Sequence, residues 1–172
     1  MRPAALLDRI ERAAAGLGGV DVRIVEPGRS NLAVAPPGAR EPDDIAALSG
    51  GLLVREGVVR PAGPAAYGAD PALARVLLTA IRFEPEVRAV ASLRPLPALA
   101  DTLDAHLREL VRVDPRRAPR GISTMDWAIA RTFDGEGMPD AVLVEGEALL
   151  LFATTVEEVV DEIIMVSSHA SI

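Results

Sequence analysis

Residues 70–85, DPALARVLLTAIRFEP, leave the backbone little choice. Asp70 is placed to accept a hydrogen bond from a first-turn N–H, Pro71 has the fixed φ that suits that turn, and Pro85 cannot donate to a continuing helix. Between them Leu73, Val76, Leu77, Ala80 and Ile81 recur at spacings of three and four, which makes one apolar stripe along a helix. Such a stripe must be buried, so the fold has to supply a hydrophobic layer beneath it. The pattern predicts that the helix breaks near Glu84 and that a shorter one runs from there toward Ala91.

The remaining segments supply the layer. Leu6, Ile10, Ala13 and Leu17 mark a first amphipathic helix ended by Gly18-Gly19. In VDVRIVE, Val20, Val22 and Ile24 alternate with Asp21 and Arg23 as in a strand, and NLAVA offers Leu32 and Val34 for another. After the loop PPGAREP, Asp43 or Asp44 can start a short helix through Leu48, and LLVREGVVR reads as two strands around a Glu56-Gly57 turn. Pro61 to Ala66 reads as a loop. Leu96, Leu99, Leu103, Leu107 and Leu110 predict a long amphipathic helix, followed by the loop VDPRRAPRG. In GISTMDWAIARTF, Ser123 and Asp126 match a capping box, with Met125, Ala128, Ile129, Thr132 and Phe133 on one face. DAVLVEGEALLLFA reads as a hairpin, and Thr155 with Glu158 caps a closing helix that turns Val156, Val159, Val160, Ile163 and Ile164 inward. Beyond it VSSHASI has nothing to cap and is expected to fray. Hairpins mixed with single helices, without a long βαβ series, argue for one α/β domain over residues 1–172 with a mixed, mostly antiparallel sheet.

Composition excludes several chemistries. The chain has no cysteine, so disulfides and thiolate catalysis are out, and all 18 of its Lys and Arg residues are arginine, which removes Schiff-base chemistry and a lysine-dependent phosphate loop. A net charge of −7 without a basic block disfavours direct nucleic-acid binding. No export signal or membrane span is legible in MRPAALLDRIERAAAG or elsewhere, so a cytoplasmic location without membrane association is expected. The only histidines, His106 and His169, have no partner at metal-ligand spacing, so neither a metal nor another cofactor is expected. His106 lies one heptad after Leu99, at the edge of a packed face. Ser49-Gly50-Gly51 and Gly18-Gly19 are short enough to be ordinary turns.

The order of segments resembles the archaeal-type thiamine-phosphate synthase (ThiN) family. The resemblance runs through SNLAVAPPGAREPDDIAAL, SGGLLVREG, YGADPALARVLLTAIRFEPEVRAVASLR, GISTMDWAIA and PDAVLVEG. It implies a three-layer α/β/α domain similar to class II aldolases, and a reaction that joins hydroxymethylpyrimidine diphosphate to hydroxyethylthiazole phosphate with release of pyrophosphate. A departing diphosphate needs cations. The resemblance places a catalytic arginine and a catalytic histidine where this chain has Gly51 and Ala72, with Pro71 where the family has a further arginine. A lysine and another arginine near the C-terminus give way to Glu145-Gly146-Glu147 and the apolar run after it. No catalytic residue is therefore assigned.

What the resemblance retains is a ligand frame. Arg75 and Arg94 match family arginines, with helix-surface salt bridging as the competing account; Arg82 and Arg88 are expected at the surface. Gly121, Ser123, Thr124 and Met125 match the STM region, where a capping serine also leaves N–H groups facing a phosphate. Ser30 and Asn31 match an SN pair that a turn explains equally well, and Asp140 either orients an amine or ends a turn. The implied partner is a small phosphorylated ligand of thiamine metabolism, held by a domain without synthase turnover in the role of a sensor. An active synthase with relocated arginines and a scaffold or homodimerisation module are the alternatives. Some relatives are regulators with a helix-turn-helix ahead of the domain; the residues before Ser30 read as one helix and one strand.

Overall fold

A computed structural model describes residues 2–132, 137 and 139–172; Phe133 lies outside the described residues. The chain forms helices α1 (Ala4–Ala15), α2 (Pro71–Phe83), α3 (Pro97–Ala105), α4 (Thr124–Thr132) and α5 (Val156–His169). Its strands are β1 (Asn31–Val34), β2 (Ala46–Leu48), β3 (Leu52–Arg55), β4 (Val58–Pro61), β5 (Ala65–Tyr67), β6 (Ala89–Leu93), β7 (Leu110–Val113), β8 (Ala141–Val144) and β9 (Ala148–Ala153). Seven of them make one sheet in the order β5-β2-β1-β6-β9-β8-β7, and β3 and β4 make a separate hairpin. All neighbours in the large sheet are antiparallel except β7 and β8. The sheet is mixed and mostly antiparallel, as the hairpin signals require.

Alternation along the strands builds two cores. Leu32 and Val34 of β1, Ala89 and Ala91 of β6, and Leu149 and Leu151 of β9 face Ile10 of α1, Leu103 of α3 and Val159 of α5. Ala33, Val90, Val142 and Leu150 face the other way, onto Leu73, Val76, Leu77 and Ala80 of α2 and onto Ala128 and Ile129 of α4. The α2 stripe predicted from its spacing is thus the lid of the second core, each fully buried Leu or Val contributing about 1.5–3 kcal/mol. Asp70 caps α2 by accepting from Leu73 N–H at 3.0 Å, and the helix ends at Glu84 before Pro85.

Several local expectations give way. Residues 20–26 are not a strand: the Asp21 carboxylate accepts from Arg23 N–H at 2.9 Å and caps a 3-10 turn over Val22–Ile24. The short helix expected up to Leu48 is only a 3-10 turn, Pro42–Asp44, after which β2 pairs between β1 and β5. The expected loop at 61–66 contains the end of β4 and the start of β5. The helix expected from Glu84 toward Ala91 is replaced by β6, inserted between β1 and β9 and almost wholly buried. The β2 and β6 runs are short, alanine-rich and buried on both faces, so a helical and a strand pattern are locally indistinguishable there. The long leucine helix stops at Ala105: Leu107 turns to φ 58° with 92% of its surface exposed, and Leu110 begins β7. Arg88 is half-buried rather than superficial, its guanidinium donating to the Pro36 carbonyl, and burial lowers its pKa. The two histidines meet in space, their ring centroids 4.7 Å apart, because α5 continues to His169 beside the end of α3.

Candidate functional site

The N-terminal ends of α2 and α4 open onto one cavity of about 450 Å³. Ser92 and Leu93 of β6 and Ala148 and Leu150 of β9 contribute strand surface; the loop at Glu26–Ser30, the first turns of α2 and Ser123–Asp126 close the sides. The strand order explains the assembly, since β6 lies between β1 and β9 while α2 and α4 pack together over the same face.

The loop beside the cavity is locked by Ser30. Its Oγ accepts from Glu26 N–H at 2.9 Å, its own N–H donates to the Glu26 carbonyl at 2.9 Å, and its carbonyl accepts from Leu52 N–H at 2.8 Å. Asn31, buried behind it, donates from Nδ2 to the Leu48 carbonyl and to Asp70 Oδ2, both at 3.0 Å, and accepts at Oδ1 from Leu32 N–H (2.7 Å) and Leu48 N–H (3.2 Å). This one amide fixes β1 against β2 and both against the start of α2. Ser123 caps α4 loosely: Asp126 N–H lies 3.4 Å from its Oγ. First-turn N–H groups of a helix lack intrahelical acceptors, so Thr124 and Met125 present donors at the cavity.

Charge in the cavity is mixed. Arg29 and Arg75 face Glu26, Asp70, Asp126 and Glu147. Glu26 and Arg29 stand 3.8 Å apart as a loose pair, and Asp70 is committed to the α2 cap and to Asn31. Arg75, Asp126 and Glu147 are in no ion pair among the described residues, which leaves one uncommitted cation and two uncommitted carboxylates.

Of the residues picked out in the sequence, Ser30, Arg75, Ser123, Thr124 and Met125 line this cavity together. Asn31 supports it from behind. Arg94 ties the preceding segment down, with N–H to the Ile24 carbonyl at 2.8 Å and its guanidinium to the Val25 carbonyl at 3.3 Å. Gly121 is an exposed turn residue with φ 81° just before the cavity wall. Asp140 stands in a different cavity with Arg108 and Glu162, and its carboxylate accepts from Glu109 N–H at 2.8 Å. Glu26, Arg29, Asp126 and Glu147 join the site although none is marked as a site residue by its own sequence segment. Arg29 adjoins Ser30-Asn31, which is a signal for it; the others meet only through the sheet order.

The two positions where the resemblance implies catalytic groups differ physically. Ala72 is exposed and lines the cavity. Gly51 has φ 73°, and a Cβ there would lie 2.4 Å from the Ser30 carbonyl oxygen, so the backbone has closed over the space a side chain would need. Among the described residues, no group of three or more His, Cys, Asp and Glu side chains could hold a metal ion, and no helix is long and apolar enough to cross a membrane.

Residues 12–165 match the family of the thiamine-phosphate synthase ThiN. The bifunctional thiamine biosynthesis protein ThiDN of Methanocaldococcus jannaschii is 30% identical over 120 residues, covering 68% of this chain, and the chain matches 28% of that protein's length. The crystal structure of the C-terminal domain of protein MJ0236 superposes with a TM-score of 0.86 at 22% identity, covering 98% of this chain and 97% of that one. The C-terminal domain of a phosphomethylpyrimidine kinase gives 0.84 at 23% identity over 94% and 98% of the two chains. The L-fuculose-1-phosphate aldolase of Thermus thermophilus is a more distant fold neighbour, with a TM-score of 0.58 at 16% identity over 98% and 92%.

Proposed function

We propose that this chain, which belongs to the thiamine-phosphate synthase ThiN family, holds a thiamine-type phosphate in the cavity between α2 and α4 without making it, and serves as a sensor of that ligand. The observation that carries this is the charge of the cavity. A synthase has to stabilise a departing diphosphate, which calls for a surplus of preorganised cations. Here two guanidiniums face four carboxylates, Ala72 stands where the resemblance implies a histidine, and Glu147 lies in the run where it implies a lysine and an arginine. Losing one preorganised donor to a developing anion costs about 100 to 1000-fold in rate, and two are missing at Gly51 and Ala72.

The same balance suits the product better than either precursor. Thiamine phosphate carries a fixed positive ring and a phosphate, so it can satisfy uncommitted carboxylates and an uncommitted arginine at once. The pyrimidine diphosphate brings only negative charge to Asp126 and Glu147. The helix N–H groups at Thr124 and Met125, with Arg75, are the phosphate side of this arrangement; Asp126 and Glu147 are the side for the ring. We read the arrangement as the three-layer, class II aldolase-like fold expected of the family, with α1, α3 and α5 on one face of the sheet and α2 and α4 on the other.

Arg29 and Arg75 are the feature that favours the second reading, an active synthase with relocated cations. Calorimetry with thiamine phosphate and with each precursor, beside a pyrophosphate-release assay containing both precursors, separates the two. The expected result is saturable heat with thiamine phosphate and no release. Release at enzyme-like rates would revive the synthase, and no binding of any of the three would leave a scaffold.

A further inference from the structure

A second concave surface collects chemistry that this function leaves unused. β7 and β8 are the only parallel neighbours in the sheet among the described residues, and the chain crosses between them through α4. In open α/β sheets the carboxyl ends of parallel strands and their crossover helix enclose a crevice suited to ligands. Here such a crevice, of about 290 Å³, lies where β7 ends at Val113-Asp114, at Glu145 after β8, and against Trp127, Arg131 and Thr132 of α4.

Its charges are the reverse of those in the first cavity. Arg112 is committed to Asp104 at 2.7 Å, and Asp114 is committed to Arg116, accepting its Nε at 3.1 Å and its N–H at 3.0 Å. Setting those pairs aside, Arg117 and Arg131 remain against Glu145, and neither arginine has an ion pair among the described residues. In a chain of net charge −7 this is a local positive excess. The Arg131 guanidinium lies 5.7 Å from the centroid of the half-buried Trp127 ring, so a planar cation and an indole share the same wall.

We propose that this crevice binds a small phosphomonoester of a flat ring, the phosphate held by Arg117 and Arg131 and the ring set against Trp127. Arginine suits a phosphate because its planar fork donates two parallel N–H bonds. The volume is at the lower limit of small-molecule sites, about 300 Å³, which selects a monocyclic ring over a dinucleotide. Glu145 accepts a hydroxyl or ring N–H and limits the site to one phosphate.

Trp127 is the only tryptophan in the chain, so its emission reports on this crevice. The full chain is titrated with phenyl phosphate, inorganic phosphate and phenol at constant ionic strength. Phenyl phosphate should change the emission saturably, inorganic phosphate more weakly, and phenol not at all. Arg117→Gln combined with Arg131→Gln should weaken phenyl phosphate at least about tenfold, the loss of roughly one charge-assisted hydrogen bond. Arg75→Gln, in the other cavity, should leave the response unchanged, which keeps this outcome separate from that of the thiamine phosphate test. Phosphorus NMR line broadening on the same samples gives a readout independent of the indole, and circular dichroism verifies that the double variant is folded. No response up to about 10 mM phenyl phosphate, beyond the weak-binding range, would overturn the proposal. So would an undiminished response in the folded double variant, or equal affinity for inorganic phosphate.

Discussion

Replacing Gly51 tests whether the arginine that the family resemblance implies at this position could be accommodated there. A left-handed φ costs an L-residue about 1–2 kcal/mol. At Gly51 a Cβ would also lie 2.4 Å from the Ser30 carbonyl oxygen, which is backbone and already accepts from Leu52 N–H. Relieving that overlap requires a backbone shift costing a further 1–3 kcal/mol or so, and the shift would reach Asn31, whose amide holds β1, β2 and α2 together. Gly57 is the control: its φ is 74° but nothing lies within 4 Å of a built Cβ. Gly57→Ala should therefore cost only the strain, about 1–2 kcal/mol, and Gly51→Ala about 2–5 kcal/mol in all. At roughly 2–4 °C per kcal/mol for a domain of this size, the midpoints should fall by about 2–8 °C and 4–20 °C respectively. Thermal unfolding by calorimetry, with urea melts to confirm unchanged slopes, measures both. If Gly51→Ala is no less stable than Gly57→Ala, the steric argument is wrong, and the absence of the arginine needs a different cause.

Ala72→His should behave in the opposite way, because its position is exposed and open to the cavity: stability within about 0.5 kcal/mol of the parent and still no pyrophosphate release, by urea melt and coupled assay. Asn31→Ala should destabilise by about 3 kcal/mol, since it strands Leu48 N–H and Leu32 N–H in the interior and leaves the Leu48 carbonyl with Gly51 N–H alone; a loss under about 1 kcal/mol would show that water replaces the amide. Leu77→Ala, beneath α2, should cost about 2–5 kcal/mol in the same melt. Asp44 has its pKa lowered by the N–H groups of Arg40 and Glu41 and by Arg2. Its contribution is present above the ordinary carboxylate range and is lost as pH falls below about 4. Asp44→Asn should therefore flatten the acid limb of a stability-pH profile and leave its neutral shape alone.

Elements with local punctuation were legible in the sequence. The Asp70-Pro71 start of α2, the Thr155 cap of α5 and the Glu56-Gly57 turn each rest on side chains a few residues apart. β2, β5 and β6 were not, because nothing within Ala46–Leu48, Ala65–Tyr67 or Ala89–Leu93 says strand; β1 and β9 set β2 and β6 alongside them, and β2 in turn sets β5. The α3 pattern ran on past its end for the reverse reason: Leu107 and Leu110 keep helical spacing, but Leu110 is recruited by β8. The candidate site divides the same way. Ser30, Arg75 and the Ser123–Met125 run could be named from segment order, whereas Asp126 and Glu147 gain meaning only when α4 and the turn before β9 meet at one cavity, and Asp140, next to a strand start, is carried to another.

β9 is the keystone of the sheet. The strands β5, β2, β1 and β6 form one block and β8 with β7 another, and β9 alone joins them, pairing with β6 on one side and β8 on the other. Its residues, 148–153, are made after every other strand. During synthesis the first block therefore waits with the apolar edge of β6 unpaired, and the core under α1 and α3 stays half-covered until α5 follows. Folding of this chain should be a late, concerted event dominated by contacts between distant segments, with the waiting β6 edge as the place where a nascent chain is most exposed to pairing with another copy.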